Sequence, residues 1–272
     1  MKVALIQQTA STDRKANLAT GLASFEKAAE SGADLVCFAE LAFDPFFPQD
    51  RAKVDVSHLA EPIPGPMTDA FVSKAAELGV VVVLNMFERG GGHTYDTSPV
   101  IDADGKILGK TRMVHIPDYA CFHEQDYYTP GDTGAPVYET AVGRVGVAIC
   151  YDRHYPEYMR ALSLAGAELV VVPQAGVVDE WPDDLFEAEM RVAAFQNGYF
   201  IALCNRVGLE PKLEFSGESF VCNPEGGVVA RAGKGIAEVL MCDLDLSQTK
   251  VSHARKLFHA NRRPDLYGEW LT

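Results

Sequence analysis

The chain has no long apolar run. Nothing in its 272 residues approaches the roughly 20 apolar residues that a membrane-spanning helix needs. The opening run, Val3 to Ile6, is too short for the core of a secretory signal. Both absences predict a soluble, cytoplasmic protein. Basic residues are scarce: 24 Lys and Arg stand against 38 Asp and Glu, for a net charge of −14. Such a chain repels phosphate backbones and anionic lipid, so neither nucleic acid nor membrane is expected as a partner. No CxxC occurs among Cys37, Cys121, Cys150, Cys204, Cys222 and Cys242. All but Cys121 lie in apolar, strand-like runs, which reads as free thiols in a reducing compartment. The seven histidines show no HExxH or paired-ligand spacing, so no metal is predicted. GxGxxG and GxxxxGK[ST] are also missing, and Gly90–Gly92 reads as a loose loop, so no nucleotide cofactor is expected.

What is present is an alternation of strand-like and helix-like segments. Val3–Gln7 suits a buried strand, and residues 14–31 carry Leu18, Leu22, Phe25 and Ala29 at helical spacing before Gly32. Asp34–Glu40 is the next strand, followed by a Pro-rich loop over Phe43–Pro66. Residues 67–78 read as a helix stopped by Gly79, and Val80–Phe87 as one strand covered on both faces. Tyr95–Ile101 and Ile107–Val114 flank Asp104-Gly105, a hairpin signal. Further strands are predicted near 137–149, 168–172, 199–204, 218–223, 227–230 and 236–243, with helices at 154–165, 184–197 and 246–258. No repeat or linker divides the chain. The expectation is a single α/β domain over 1–272, with sheet sandwiched by helices.

Two residues stand out chemically. In Val145–Glu157, alternation puts Val145, Val147 and Ile149 on one strand face and Gly146, Ala148 and Cys150 on the other. Cys150 closes that strand, just before a helix expected to begin near Tyr155–Pro156, where amide dipoles favour a thiolate. It reads equally as a small core residue. Glu40 ends one apolar stretch and precedes another, so burial would raise its pKa toward that of a general base. The bland alternative is a rim carboxylate paired with an arginine. Glu124, in the loop Cys121–Asp126, is a weaker signal alone.

The windows FAELAFDPFFPQ, GKTRMVHIPD, HEQDYYTPGDTG, GVAICYDRHYPE, GAELVVVPQAG and AAFQNGYFIALCNRVG occur in this order. Together, to the closing RRPDLYG, they resemble the nitrilase superfamily of carbon–nitrogen hydrolases. They are most similar to its N-carbamoyl amino acid or N-carbamoyl amine amidohydrolases. The resemblance implies an αββα sandwich, paired into a homodimer or larger homo-oligomer, with residues 246–272 in subunit contacts. It implies a small-molecule amide substrate, no cofactor, and a Glu–Lys–Cys set. Glu40 matches its base, Cys150 its nucleophile and Glu124 a second, supporting glutamate. The backbone N–H of Tyr151 matches a donor to the tetrahedral oxyanion. Arg153 matches an arginine that binds a substrate carboxylate, although pairing with Asp152 or Glu157 explains it nearly as well. His154 and His115 are further substrate-binding candidates.

One position departs from the pattern. The family lysine stands two residues before the His of its K-x-H-[IL]-P motif, and Met113 occupies that place here. Lys110 and Arg112 lie an odd number of residues away, on the opposite strand face unless a bulge re-aims them. Arg153, His154 or His115 could supply the charge instead. Hydrolysis through a cysteine acyl-enzyme is the first expectation. An aliphatic amidase, an N-carbamoylputrescine-type amidase or a nitrilase would share that chemistry. A pseudoenzyme that binds small amides is the alternative from a different class. A papain-like Cys–His pair is weaker, since no such window is present.

Overall fold

Strands whose residues are apolar on both faces must be covered on both, and this dictates the layering. The computed structural model describes residues 1–182 and 184–270. Its first sheet runs in the order Glu238–Asp243, Lys2–Gln7, Leu35–Phe38, Val81–Val83, His93–Ile101 and Met86–Gly90, with Ile107–Arg112 also paired to His93–Ile101. The second runs Val228–Arg231, Phe220–Cys222, Phe200–Asn205, Leu169–Gln174, Gly143–Val147 and Val137–Thr140. Alternate residues of the central strands, among them Val3, Leu5, Leu35, Val145, Val147, Leu169 and Val171, form one core between the sheets. Their neighbours Ala4, Ile6, Val36 and Phe38 pack outward on α1 (Arg14–Glu30) and α2 (Pro66–Leu78). Val170, Val172 and Ile201 pack outward on α3 (Pro156–Leu164) and α4 (Leu185–Asn197). The result is the expected αββα sandwich. Each large apolar side chain sealed in these layers contributes roughly 1.5–3 kcal/mol.

The helix ends follow local chemistry. Asp13 caps α1 by accepting from the Ala16 N–H at 3.1 Å, and α2 and α3 open on Pro66 and Pro156. Gly79 and Gly198 end α2 and α4 at φ +68° and +71°. Gly21 lets α1 lie against the sheet, since a Cβ there would stand 2.4 Å from Phe43 Cε1.

Three expectations need correction. Val80–Phe87 is two strands, Val81–Val83 and Met86–Gly90, interrupted at Leu84–Asn85, where the Leu84 N–H donates to the Pro99 carbonyl at 3.3 Å but Pro99 has no N–H to return. The predicted helix 246–258 breaks at Ser252, whose ψ is 154° and whose hydroxyl bonds the Thr249 carbonyl at 2.9 Å. A short antiparallel pair, Val207–Leu209 with Glu214–Ser216, was not anticipated. Among the described residues no helix is long and apolar enough to cross a membrane. Of the C-terminal segment assigned to subunit contacts, Leu271 and Thr272 lie outside the described residues.

Candidate active site

Where Gly143–Val147 ends, the chain keeps one more bond to its neighbour, Ala148 N–H to Val171 O at 3.1 Å. It then enters a tight 3₁₀ turn, Cys150–His154, with Cys150 at φ +41°. A non-glycine residue there stores about 1–3 kcal/mol, which the surroundings must hold. They do so with several bonds. Arg153 Nη1 donates to the Cys150 carbonyl at 2.9 Å and to Gln174 Oε1 at 2.8 Å. Asp152, fully buried, accepts from the backbone of Val114 and His115 and meets His115 Nδ1 at 2.7 Å. The turn also overrules the alternation argument. Cys150 lies in the inter-sheet core with Val145, Val147 and Ile149, not on the helix-facing side with Ala148. Strand parity ends where the strand ends.

Glu40 follows the strand Leu35–Phe38 of the other sheet and precedes a second strained residue, Leu41 at φ +45°. Asn85 Oδ1 accepts from the Leu41 N–H at 2.8 Å, and Arg206 Nη1 donates to the carbonyls of Glu40 and Leu41. The Glu40 side chain is 0% exposed and faces the Cys150 thiol and the Asp96 carboxyl. They are near enough to bear on its titration, yet neither Glu40 oxygen has a well-formed hydrogen bond. Glu124, in the short turn Glu124–Asp126, is equally buried, and both its oxygens are also without partners.

Burial pushes the Glu40 carboxyl up to about 8, with the charge of Glu124 adding to the effect while Asp96, Cys150 and Arg206 oppose it. Burial likewise drives Glu124 and Asp96 well above the carboxylate range, reinforced by their acidic neighbours. The Cys150 thiol is pushed up by burial and by Glu40, against the opposing pull of Arg153. The expected thiolate at a helix start is therefore not what the site builds. It sets a thiol raised by burial beside a carboxyl raised to about 8.

Met113 is 0% exposed and belongs to the same inter-sheet cluster as Cys150, Tyr127 and Tyr128. Its N–H donates to the Asp96 carbonyl at 2.9 Å. Lys110 and Arg112 point to the other face, as parity requires, and both bind Glu88. A bulge does exist on this hairpin, at Val100/Ile101, but the register from Lys110 to Arg112 is regular, so it re-aims neither. The other candidates are committed nearby. His115 is tied to Asp152 and stacked on Tyr155, and His154 Nδ1 meets Glu189 at 2.6 Å, so neither forms a papain-like pair. Arg153 is 4% exposed, lies over Phe186 and approaches Glu189 at 3.6 Å, while its Nη2 has no partner. Tyr151 follows Cys150 in the turn, its ring edge-on to His154.

Sequence reasoning missed Asp96, Asn85 and Arg206. Asn85 Nδ2 bonds Asp96 at 2.5 Å and Ser98 at 3.2 Å, holding Asp96 beside Glu40. The available signal was a lone amide in VVVLNMF and a lone acid in HTYDTSPVI.

The carbon-nitrogen hydrolase family model matches residues 2–253. An N-carbamoylputrescine amidase of Solanum lycopersicum is 35% identical, over 99% of this chain and 94% of that one. The crystal structure of a carbon-nitrogen hydrolase from Helicobacter pylori G27 superposes with a TM-score of 0.93 at 30% identity, covering 100% of this chain and 98% of its own. A mutant of the amidase from Nesterenkonia sp. AN1 superposes at 0.83 with 26% identity, covering 99% and 96%. In that structure the acetamide moiety of fluoroacetamide is covalently added at the active-site cysteine. This chain belongs to the carbon–nitrogen hydrolase family, in the nitrilase superfamily, and is an enzyme acting on amide C–N bonds.

Proposed function

We propose that this enzyme hydrolyses a small linear amide of the N-carbamoyl type, with Cys150 as nucleophile and Glu40 as general base and acid. The observation that carries the assignment is the meeting of the Cys150 thiol and the Glu40 carboxyl, from different sheets, buried between them. Glu40 takes the thiol proton as sulfur attacks the carbonyl carbon. The Tyr151 N–H receives the developing oxyanion. Protonated Glu40 then donates to the leaving nitrogen, and water directed by Glu40 clears the acyl-enzyme. Glu124 supports the Glu40 side of the pocket, and Arg153 holds the strained turn.

Among neutral amides, an N-carbamoyl amine is the preferred substrate. The name of the tomato relative supports it. The commitment of Arg153 Nη1 to Cys150 and Gln174 also leaves less of that guanidinium for a substrate carboxylate. Six free thiols are compatible with a reducing, cytoplasmic setting. A homo-oligomer is supported by exposed apolar side chains on α3 and the C-terminal segment, among them Leu164, Leu257, Phe258 and Trp270. Equilibrium sedimentation giving a monomer would remove that last element.

Replacing Cys150 with Ala should reduce ammonia release to background. Glu40→Gln should lower kcat by about 10²–10⁴. Mass spectrometry of the wild-type enzyme quenched in turnover should find an acyl adduct on Cys150. Full activity in the Cys150→Ala variant would overturn the assignment. Absence of both turnover and adduct on a panel of amides would favour a binding pseudoenzyme instead.

A further inference from the structure

The pocket around Cys150 is rich in acceptors and poor in cations. Both oxygens of Glu40, both of Glu124 and Oδ2 of Asp96 are buried without hydrogen-bond partners, although all three residues are 0% exposed. The two buried arginines nearby turn their bonds elsewhere. Arg206 bonds the carbonyls of Glu40, Leu41 and Asp44 and the carboxylate of Glu210; Arg153 spends Nη1 on the Cys150 carbonyl and Gln174 and lies 3.6 Å from Glu189 through Nε, with Nη2 left unpartnered. Lys110 and Arg112 are held by Glu88 on the far face of their strand, and Met113 brings only a thioether to the near face. Carboxyls buried in this way are held protonated, and a cation that brings several N–H donors would let them ionise.

We propose that the missing charge arrives with the substrate, and that this site hydrolyses planar amidinium or guanidinium groups in preference to the neutral amides or ureas of the same shape. The inference rests on Cys150 being the nucleophile but goes beyond the amide reading. A guanidinium has the outline of a carbamoyl group with an N–H₂ in place of the carbonyl oxygen, and it presents several coplanar donors to paired carboxylates. It also changes what catalysis requires. Attack on a neutral carbonyl creates an oxyanion, which a protein cation would stabilise. Attack on an amidinium carbon creates a neutral diamino adduct, for which such a cation is superfluous and, in the bound state, repulsive. An apolar Met113 suits the second case.

The step balances. The Cys150 proton passes to Glu40 while the S–C bond forms, and the electron pair of the C=N⁺ bond returns to nitrogen. Glu40 gives the proton to one nitrogen, the C–N bond breaks, and ammonia leaves an S-linked amidinium-type cation. Water adds to its carbon, giving a proton to Glu40. The S–C bond breaks, the hydroxyl proton returns to sulfur, and Glu40 protonates ammonia. The net reaction is amidinium plus water to amide plus ammonium, or guanidinium plus water to urea plus ammonium.

Two matched pairs of probes test this: acetamidinium against acetamide, and n-butylguanidinium against n-butylurea, all with EDTA-treated enzyme. The Cys150→Ala variant, followed by calorimetry, should bind butylguanidinium at least about 10-fold more tightly than butylurea. It should release about one proton on doing so near neutral pH, because a cation stabilises the ionised form of the buried carboxyls. Wild-type enzyme should release ammonia faster from the cationic member of each pair. Asp96→Asn should remove most of the preference. Met113→Lys should invert it, weakening the cation by about 10²-fold and improving the neutral amide. Equal or tighter binding of the urea, or preference for the cation that survives Met113→Lys, would overturn the inference. Turnover of acetamide or butylurea without turnover or binding of the cations would leave the hydrolase standing and sink this proposal alone. Turnover by Cys150→Ala would sink the nucleophile assignment instead.

Discussion

Two glutamates of the first sheet's half of the molecule, Glu40 and Glu88, are each 0% exposed and end in opposite states. Glu88 lies nearer the surface, on Met86–Gly90, and burial alone would raise its pKa. Bonds from Arg112, Lys110 and Thr97 outweigh that and hold it at about 2. Glu40 has no such donors and rises to about 8. The same short strand, Ile107–Arg112, accounts for both: its outward side chains clamp Glu88, and the inward residue just beyond its end is Met113. Burial sets the cost of a charge, and the choice of partner decides whether the protein keeps it.

The largest effect should come from neutralising each glutamate in turn. Glu88→Gln should destabilise the fold by about 3 kcal/mol at pH 7 in urea unfolding. Because the folded pKa of Glu88 is depressed, its contribution is present above the ordinary carboxylate value, and the difference from wild type should vanish as pH falls through about 2. Glu40→Gln should do the reverse. A folded pKa of about 8 means stability is lost as pH rises from the ordinary carboxylate range toward 8, so the variant should exceed wild type at pH 8 by roughly 4 kcal/mol and match it below pH 4. Equal pH dependence in both variants would erase the contrast. Next, Met113→Lys should give Glu40 the partner that Glu88 has. The acidic limb of kcat/KM should then move down by about 1–3 pH units. An unmoved limb would mean that the new ammonium does not reach Glu40. Smallest of all, Lys110→Met should cost about 0.5–1 kcal/mol, since that partly exposed cation shares Glu88 with Arg112.

Most of the fold was legible because it follows from periodicity. Central strands apolar on both faces, the helix stopped by Gly79 and the Asp104-Gly105 hairpin all rest on local rules that the structure obeys. Within the site, the pairing of Cys150 with Glu40 came from resemblance and burial logic, and the outward aim of Lys110 and Arg112 from parity. Parity failed at Cys150 itself, where a left-handed residue re-aims the chain. It also had nothing to offer for Asn85 and Asp96, since a polar residue in an apolar run does not announce its partner. Arg206 reaches Glu40 across 166 residues.

The sequence alone determined the layers, the family and the substitution of methionine for the family's lysine, because these depend on the order and type of residues. Only the tertiary structure decided what that substitution means. It gathered Glu40 and Glu124 near one thiol, with Asp96 beside Glu40, and turned Arg206 and Nη1 of Arg153 toward backbone carbonyls and other side chains. Proton affinity is a property of the assembled surroundings, so the ionisation of that pocket could not be read before its walls were in place.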